Sequence, residues 1–207
     1  MRIAVFVSGG GTNLQAIIDR IKDGYLADID IGLVVSSSPK AYALTRASDN
    51  NIPSVVLSAK DFASREEWDL KVLNAVEEAG CELIVLAGYL SLLGKETVKA
   101  FSNRIINIHP ALIPAFCGEG MYGIRPHIAA LARGVKVSGA TVHFVNEEYD
   151  SGPIIIQKAV DVLPDDTPEI LQQRIMKECE QEILPKAIRL LADGKVSIEN
   201  NIAYIKD

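Results

Sequence analysis

The sequence predicts an α/β protein: a Rossmann-like, doubly wound, mostly parallel sheet with helices on both faces and antiparallel strands toward the C-terminus. Three observations carry this expectation. Short apolar runs alternate with amphipathic stretches through the first 110 residues. The opening run RIAVFV (residues 2–7) is continuously apolar, as in a parallel strand covered on both faces. Beyond residue 136 the pattern changes to longer alternating runs, which suit strands with one buried face.

The elements follow in order. After the strand at 2–7, Thr12 or Asn13 is expected to cap an amphipathic helix with apolar positions Leu14, Ile17, Ile18 and Ile21, stopping near Gly24. A strand at 30–35, a helix at about 40–50 and a strand at 53–57 come next. The stretch 65–79 has a helical period ended by Gly80, ELIVLA (82–87) is a fourth strand, 95–101 a short helix and 104–108 a fifth strand. Strand–helix units in succession imply right-handed crossovers. Residues 110–124 (PALIPAFCGEGMYGI) have no period and read as a long functional loop, followed by a short helix at 126–133. The runs 136–145 and 153–162 alternate. Thr167 caps a helix over about 168–192, and KVSIENNIAYI closes the chain as a hairpin turning at Asn200-Asn201.

Bulk properties exclude several classes. The net charge of −6 opposes a nucleic-acid surface, which needs clustered Lys and Arg. No segment approaches the ~20 apolar residues that span a bilayer, and no signal peptide precedes the first strand. Three scattered cysteines make neither a disulfide framework nor a zinc ribbon. A single domain over 1–207 in the cytoplasm is the resulting expectation, as monomer or homodimer, with no metal, since the three histidines lack spacings such as His-x-x-x-His.

The chemistry-bearing pattern is Asn107-Ile108-His109-Pro110. Residues two apart on a strand share a face, so a neutral amide donor and a titratable imidazole become neighbours. Pro110 ends the ladder at the carboxyl edge, where open α/β sheets bind ligands. The pair suits stabilisation and protonation of an atom that gains charge. The loop Ser8-Gly9-Gly10-Gly11-Thr12-Asn13 offers the amides of Gly11, Thr12 and Asn13 to an anion. It lacks the third glycine of a dinucleotide fingerprint (Leu14 stands there) and any acid after the second strand, so a monophosphate fits better than NAD or ATP. A ligand-free tight turn is the alternative.

Asp150 has two readings from its residues alone: a turn residue in Tyr149-Asp150-Ser151-Gly152, or a carboxylate that approaches His109. His143, alternating with Thr141 and Val145, is either a supporting hydrogen-bonding group or a satisfied core histidine. His127 reads as an exposed helix-start residue. Cys117 lacks the surroundings that activate a thiol. Arg65, at a helix start, is either solvated or a phosphate ligand. Glu180 reads as surface charge on pattern.

Four segments together resemble the glycinamide ribonucleotide formyltransferases, folate-dependent enzymes of purine synthesis: SGGGTNLQAII (8–18), LAGYLSLL (86–93), INIHPALIPAF (106–116) and SGATVHFVNEEYDSGPIIIQ (138–157). The chain departs from the family pattern at Ala111, at Ser91, where an Arg is common, and through 117–127 (CGEGMYGIRPH). The resemblance implies the formyltransferase fold, with a nucleotide-binding half at 1–110 and a folate-binding and C-terminal half at 111–207. It implies a catalytic set of Asn107, His109 and Asp150, with His143 in support. It implies that Gly11, Thr12, Asn13 and Arg65 hold the ribonucleotide phosphate and Glu180 a ribose hydroxyl. Leu90, Ser91, Leu92 and Leu93, with Asn146, Glu147 and Tyr149, would wall the pterin pocket. The implied co-substrate is 10-formyltetrahydrofolate and the implied acceptor is glycinamide ribonucleotide.

On this reading Asn107 and a protonated His109 stabilise the oxyanion of a tetrahedral intermediate, and Asp150 raises the His109 pKa and takes up a proton. Three alternatives are weighed. A formyltetrahydrofolate deformylase would use water in place of the amine, and that family carries a regulatory domain before the first strand. A methionyl-tRNA formyltransferase carries a further C-terminal domain for tRNA. A non-catalytic nucleotide-binding domain would not need Asn107, His109 and Asp150 together.

Overall fold

A computed structural model describes residues 1–206. They divide into two compact units, Met1–Ile106 and a second that begins at Asn107.

In the first unit β1 (Arg2–Val7), β2 (Asp30–Ser36), β3 (Ser54–Val56) and β4 (Leu83–Leu86) pair in parallel, with β1 central between β2 and β4. Ile3 through Val7 are wholly buried, which is why their sequence shows no alternation. The crossovers are α1 (Thr12–Lys22), α2 (Ala43–Asp49) and α3 (Arg65–Glu78), and α4 (Lys95–Ala100) leads into β5 (Ile105–His109). Leu14, Ile17 and Ile18 of α1 face the core, as do Trp68, Val72 and Val76 of α3. Trp68 is fully buried and donates its indole N–H to the Leu57 carbonyl, 3.0 Å away. Asp69 of α3 is buried and caps α4: it accepts from the Glu96 amide at 2.8 Å, the Thr97 amide at 3.2 Å and the Thr97 hydroxyl.

The α1 start differs from expectation. Neither Thr12 nor Asn13 is the cap; Gly11 is, at φ 70°, and it has no side chain to bond with. A Cβ there would lie 2.6 Å from Ala43 Cβ, so close approach of α2 and a left-handed backbone both require glycine. The second helix is shorter than expected, beginning at Ala43.

In the second unit the loop after β5 leads to α5 (Arg125–Arg133), then β6 (Val137–Phe144) and β7 (Ile154–Asp161), which pair antiparallel. The register slips between Val142 and His143, where Ile155 of β7 is the extra, bulged residue. Thr167 caps α6 (Pro168–Ile175) through the Ile170 amide. The expected continuous helix is interrupted by a π-helical turn, Met176–Glu180, before α7 (Gln181–Ala192). Pro185 of α7 lacks the N–H that would bond to the preceding turn. β8 (Val196–Glu199) and β9 (Ile202–Ile205) form a separate hairpin, with Asn200 and Asn201 both left-handed as a type I′ turn requires. The strand order of the seven-stranded, mostly parallel sheet is β3-β2-β1-β4-β5-β6-β7. No helix of the described residues is long and apolar enough to cross a membrane.

Candidate active site

The second unit gathers four polar side chains at the end of β5. Strand alternation sets Asn107 partly exposed, while Ile108 packs inward. His109, the last residue of β5, is 4% exposed. His143 is the next-to-last residue of β6, opposite Ile154, and Asp150 follows in the β6–β7 connection at φ 50°, a left-handed conformation that Asp adopts more readily than most residues. Asp150 is the hub. Its Oδ2 is 3.6 Å from His109 Nδ1, and its Oδ1 is 3.5 Å from both His143 Nε2 and Asn107 Nδ2.

The remaining bonds assign protons. His109 Nε2 lies 2.9 Å from the Phe116 carbonyl, which can only accept, so Nε2 carries hydrogen. His143 Nδ1 lies 2.8 Å from the Phe144 carbonyl and donates to it for the same reason. The His143 Nε2 lies 3.1 Å from Asn107 Nδ2, the amide donating to the ring nitrogen. The Gly118 amide donates to Asp150 Oδ2 at 2.9 Å.

Electrostatics correct one expectation. Asp150 does raise the His109 pKa, as expected, but not enough to keep the ring charged. Burial acts the other way and is the larger effect, so despite Asp150 and the Phe116 bond the His109 pKa falls below its ordinary value. The ring rests neutral. Asp150 feels burial too, which pushes its pKa up, but the His143 and His109 rings beside it and the Gly118 amide together hold it below the usual carboxylate value. Cys117, next to Gly118, has its pKa raised by burial and by the Asp150 charge, so it remains a thiol.

His127 is not exposed: it is wholly buried on α5, and neither ring nitrogen has a hydrogen-bond partner. Burial, with the His109 charge adding, pushes its pKa down to about 4. The helix begins at Arg125 and turns Pro126, His127 and Ala130 inward, so a place at the helix start does not mean exposure here. Glu180 also departs from its surface pattern. The π turn rotates it inward, and it is 8% exposed.

In the first unit the glycine loop runs from β1 into α1, with Asn13 buried and Thr12 half-buried. Ser8 ties the loop to two neighbours, sharing a hydrogen bond with the Ser37 hydroxyl at 2.7 Å and accepting from the Leu90 amide at 2.9 Å. Leu90 and Leu92 are exposed, Ser91 is half-buried and Leu93 buried. The Arg65 guanidinium donates to the Leu92 carbonyl and stacks over Trp68, 4.6 Å from the ring centroid. The guanidinium is thus held against the 90–93 stretch. At the glycine loop itself Arg46 of α2 donates to the Gly10 carbonyl at 2.9 Å and to Gln15 at 2.9 Å. Sequence reasoning passed over Arg46, whose pattern is that of an ordinary surface arginine. In the second unit Asn146 folds its own turn, accepting from Glu148 and Ser151, while Glu147 and Tyr149 are exposed.

Among the described residues no group of three or more His, Cys, Asp or Glu side chains could hold a metal ion.

Comparison with known proteins shows the family. A family profile described as formyl transferase matches residues 1–188. The phosphoribosylglycinamide formyltransferase of Haemophilus influenzae is 37% identical over 99% of this chain and 93% of its own. The trifunctional purine biosynthetic protein adenosine-3 of Drosophila melanogaster is 41% identical over 98% of this chain, which spans only 15% of that protein's length. The crystal structure of glycinamide ribonucleotide transformylase 1 from Symbiobacterium toebii superposes with a TM-score of 0.94 at 42% identity, covering 100% of this chain and 94% of that one. The chain belongs to the formyl transferase family.

Proposed function

We propose that this protein transfers the formyl group of 10-formyltetrahydrofolate to the amine of glycinamide ribonucleotide, in the cytoplasm, as a step of purine synthesis. The observation that carries the reading is the convergence of Asn107, His109 and His143 on the Asp150 carboxylate, in a chain that matches the formyltransferases over nearly its whole length.

The substrate amine attacks the formyl carbon and generates a tetrahedral oxyanion. Asn107 has two amide hydrogens. One is held by His143 at 3.1 Å, while the other is 3.5 Å from Asp150 and only weakly engaged. That second hydrogen is the one offered to the oxyanion, a donor whose loss typically costs ~2.7–4 kcal/mol of barrier. Asp150, ionised at neutral pH, takes the proton that the attacking amine must lose, directly or through water. His109 rests neutral with Nδ1 toward Asp150, so it accepts that proton and becomes an imidazolium beside the oxyanion. Returning the proton to N10 lets the folate amine leave. The low resting pKa of His109 makes this return favourable. The chemistry as written uses no metal and no covalent enzyme intermediate.

The amides of Gly11, Thr12 and Asn13 are assigned to the ribonucleotide phosphate, with Arg46 adding positive charge at that loop, and Glu180 to a ribose hydroxyl. Leu90 to Leu93, and Asn146, Glu147 and Tyr149, are assigned to the folate. Arg65, assigned to the phosphate from the resemblance, also supports the Leu92 backbone.

The test follows tetrahydrofolate release from 10-formyltetrahydrofolate with and without glycinamide ribonucleotide. Release that depends on the ribonucleotide supports transfer. Equal release in water alone would make the protein a deformylase.

A further inference from the structure

Two backbone groups of one short stretch, not side chains, touch both members of the proton-transfer pair. The Phe116 carbonyl accepts from His109 Nε2, and the Gly118 amide donates to Asp150 Oδ2, each at 2.9 Å. Both residues are left-handed, Phe116 at φ 53° and Gly118 at φ 93°. For Phe that conformation is strained, and such strain persists only where surrounding structure fixes it. We infer that Phe116–Gly118 is the positioning element of the transfer reaction, a carbonyl and an amide two residues apart that hold His109 and Asp150 in mutual alignment for proton exchange.

The geometry follows from donor and acceptor rules. A neutral imidazole carries one ring proton, and the Phe116 carbonyl claims it for Nε2. Nδ1 is then the lone pair, and it faces Asp150 Oδ2 across 3.6 Å. The same Oδ2 is the atom that Gly118 holds. Without the Phe116 carbonyl the ring has no reason to prefer this tautomer, and Nδ1–H would face Asp150 as a donor and be unable to accept from it. Without the Gly118 amide the carboxylate can turn away from the ring. Because both anchors sit on one stretch of chain, a displacement of the loop carries both partners together and preserves their spacing.

The groups that face Asp150 are His109 from β5, His143 from β6 and the Cys117 thiol from the stretch itself, and His109 in turn influences the buried His127 of α5. Cys117 donates to the Pro114 carbonyl at 3.3 Å and adds no charge. The positioning role rests on the transfer reading for its reaction, but the ring orientation does not.

The test is Gly118→Ala. A Cβ at this position meets no atom within 4 Å, so the variant folds, yet an L-residue at φ 93° is disfavoured and the amide swings away. The expected result is a fall in kcat of about 10- to 100-fold, the scale of a small misplacement, with KM for both substrates within about twofold. The acid limb of the kcat profile moves to higher pH, because the lost N–H had favoured the Asp150 carboxylate. Gly118→Asn, which tolerates the left-handed region, restores most of the rate. Independently of activity, nitrogen-15 NMR of the imidazoles should give His109 as the Nε2–H tautomer in the parent and a mixture in Gly118→Ala. An Nδ1–H tautomer in the parent, or an unchanged kcat in Gly118→Ala, overturns the proposal. A parent protein with no ribonucleotide-dependent transfer sinks the reaction assignment instead, and the NMR result still decides the orientation.

Discussion

Replacing Asp150 by Asn removes one negative charge from the hub of the site while keeping its shape and an oxygen for the Gly118 amide. The charge lies 3.6 Å from His109 Nδ1, and its side chain is only 12% exposed. At this separation, in an effective dielectric of about 20, opposite unit charges attract by about 4 kcal/mol. His109 is neutral at rest because burial outweighs Asp150, so this attraction is realised only when the ring takes a proton during turnover. The loss therefore falls on the transition state. At about 1.4 kcal/mol per factor of ten, and allowing for the amide's remaining dipole, kcat should fall by about 100- to 1,000-fold. Ribonucleotide affinity should change by less than about threefold, since the phosphate and ribose assignments lie elsewhere. Initial rates of tetrahydrofolate release, with calorimetric titration of glycinamide ribonucleotide, measure both quantities. A kcat within tenfold of the parent would refute the assignment of proton transfer to Asp150.

Three further outcomes are expected. The His127 pKa of about 4 in the fold, against an ordinary 6.5, means the unfolded chain binds the proton first; stability thus declines as pH falls from about 6.5 to 4, by about 3 kcal/mol at the lower end. His127→Leu, which gives up no hydrogen bond, should flatten that decline in urea midpoints between pH 7.5 and 4.5, with His109 leaving a residual slope of the same sign; an unchanged slope contradicts the account. Gly11→Ala places a Cβ 2.6 Å from Ala43 Cβ at φ 70°, adding a clash to the ~1–2 kcal/mol left-handed cost, and should lower both Tm and phosphate protection of the fold; wild-type melting would show that α2 yields freely. Asp69→Ala strips α4 of its cap and leaves the Glu96 and Thr97 donors unmet, for a loss of about 1–3 kcal/mol by chemical denaturation; a loss under 0.5 kcal/mol would mean water replaces the carboxylate.

The strands and helices were legible because burial dictates composition. A strand covered on both faces must be apolar throughout, as RIAVFV is, and a helix with one wet face must repeat, as α1 does. The Asn107, His109 and Pro110 pattern was legible for a related reason, since strand alternation and a proline stop are local rules. Less was visible where a residue's fate depends on distant chain. Arg46 reads as a surface arginine until α2 is seen to bring it to the Gly10 carbonyl. Glu180 reads as surface charge until a π turn rotates it inward.

By itself the sequence determined the alternating α/β layout, the glycine loop and the amide–imidazole pair at the end of the fifth strand, because each follows from side-chain period or from backbone freedom within a few residues. Tertiary structure alone decided that His109 is neutral at rest, that His127 is buried and that Phe116 and Gly118 bond to His109 and Asp150. Burial is a sum over the whole fold, and a backbone carbonyl or amide looks the same in every residue, so no local pattern can announce either one.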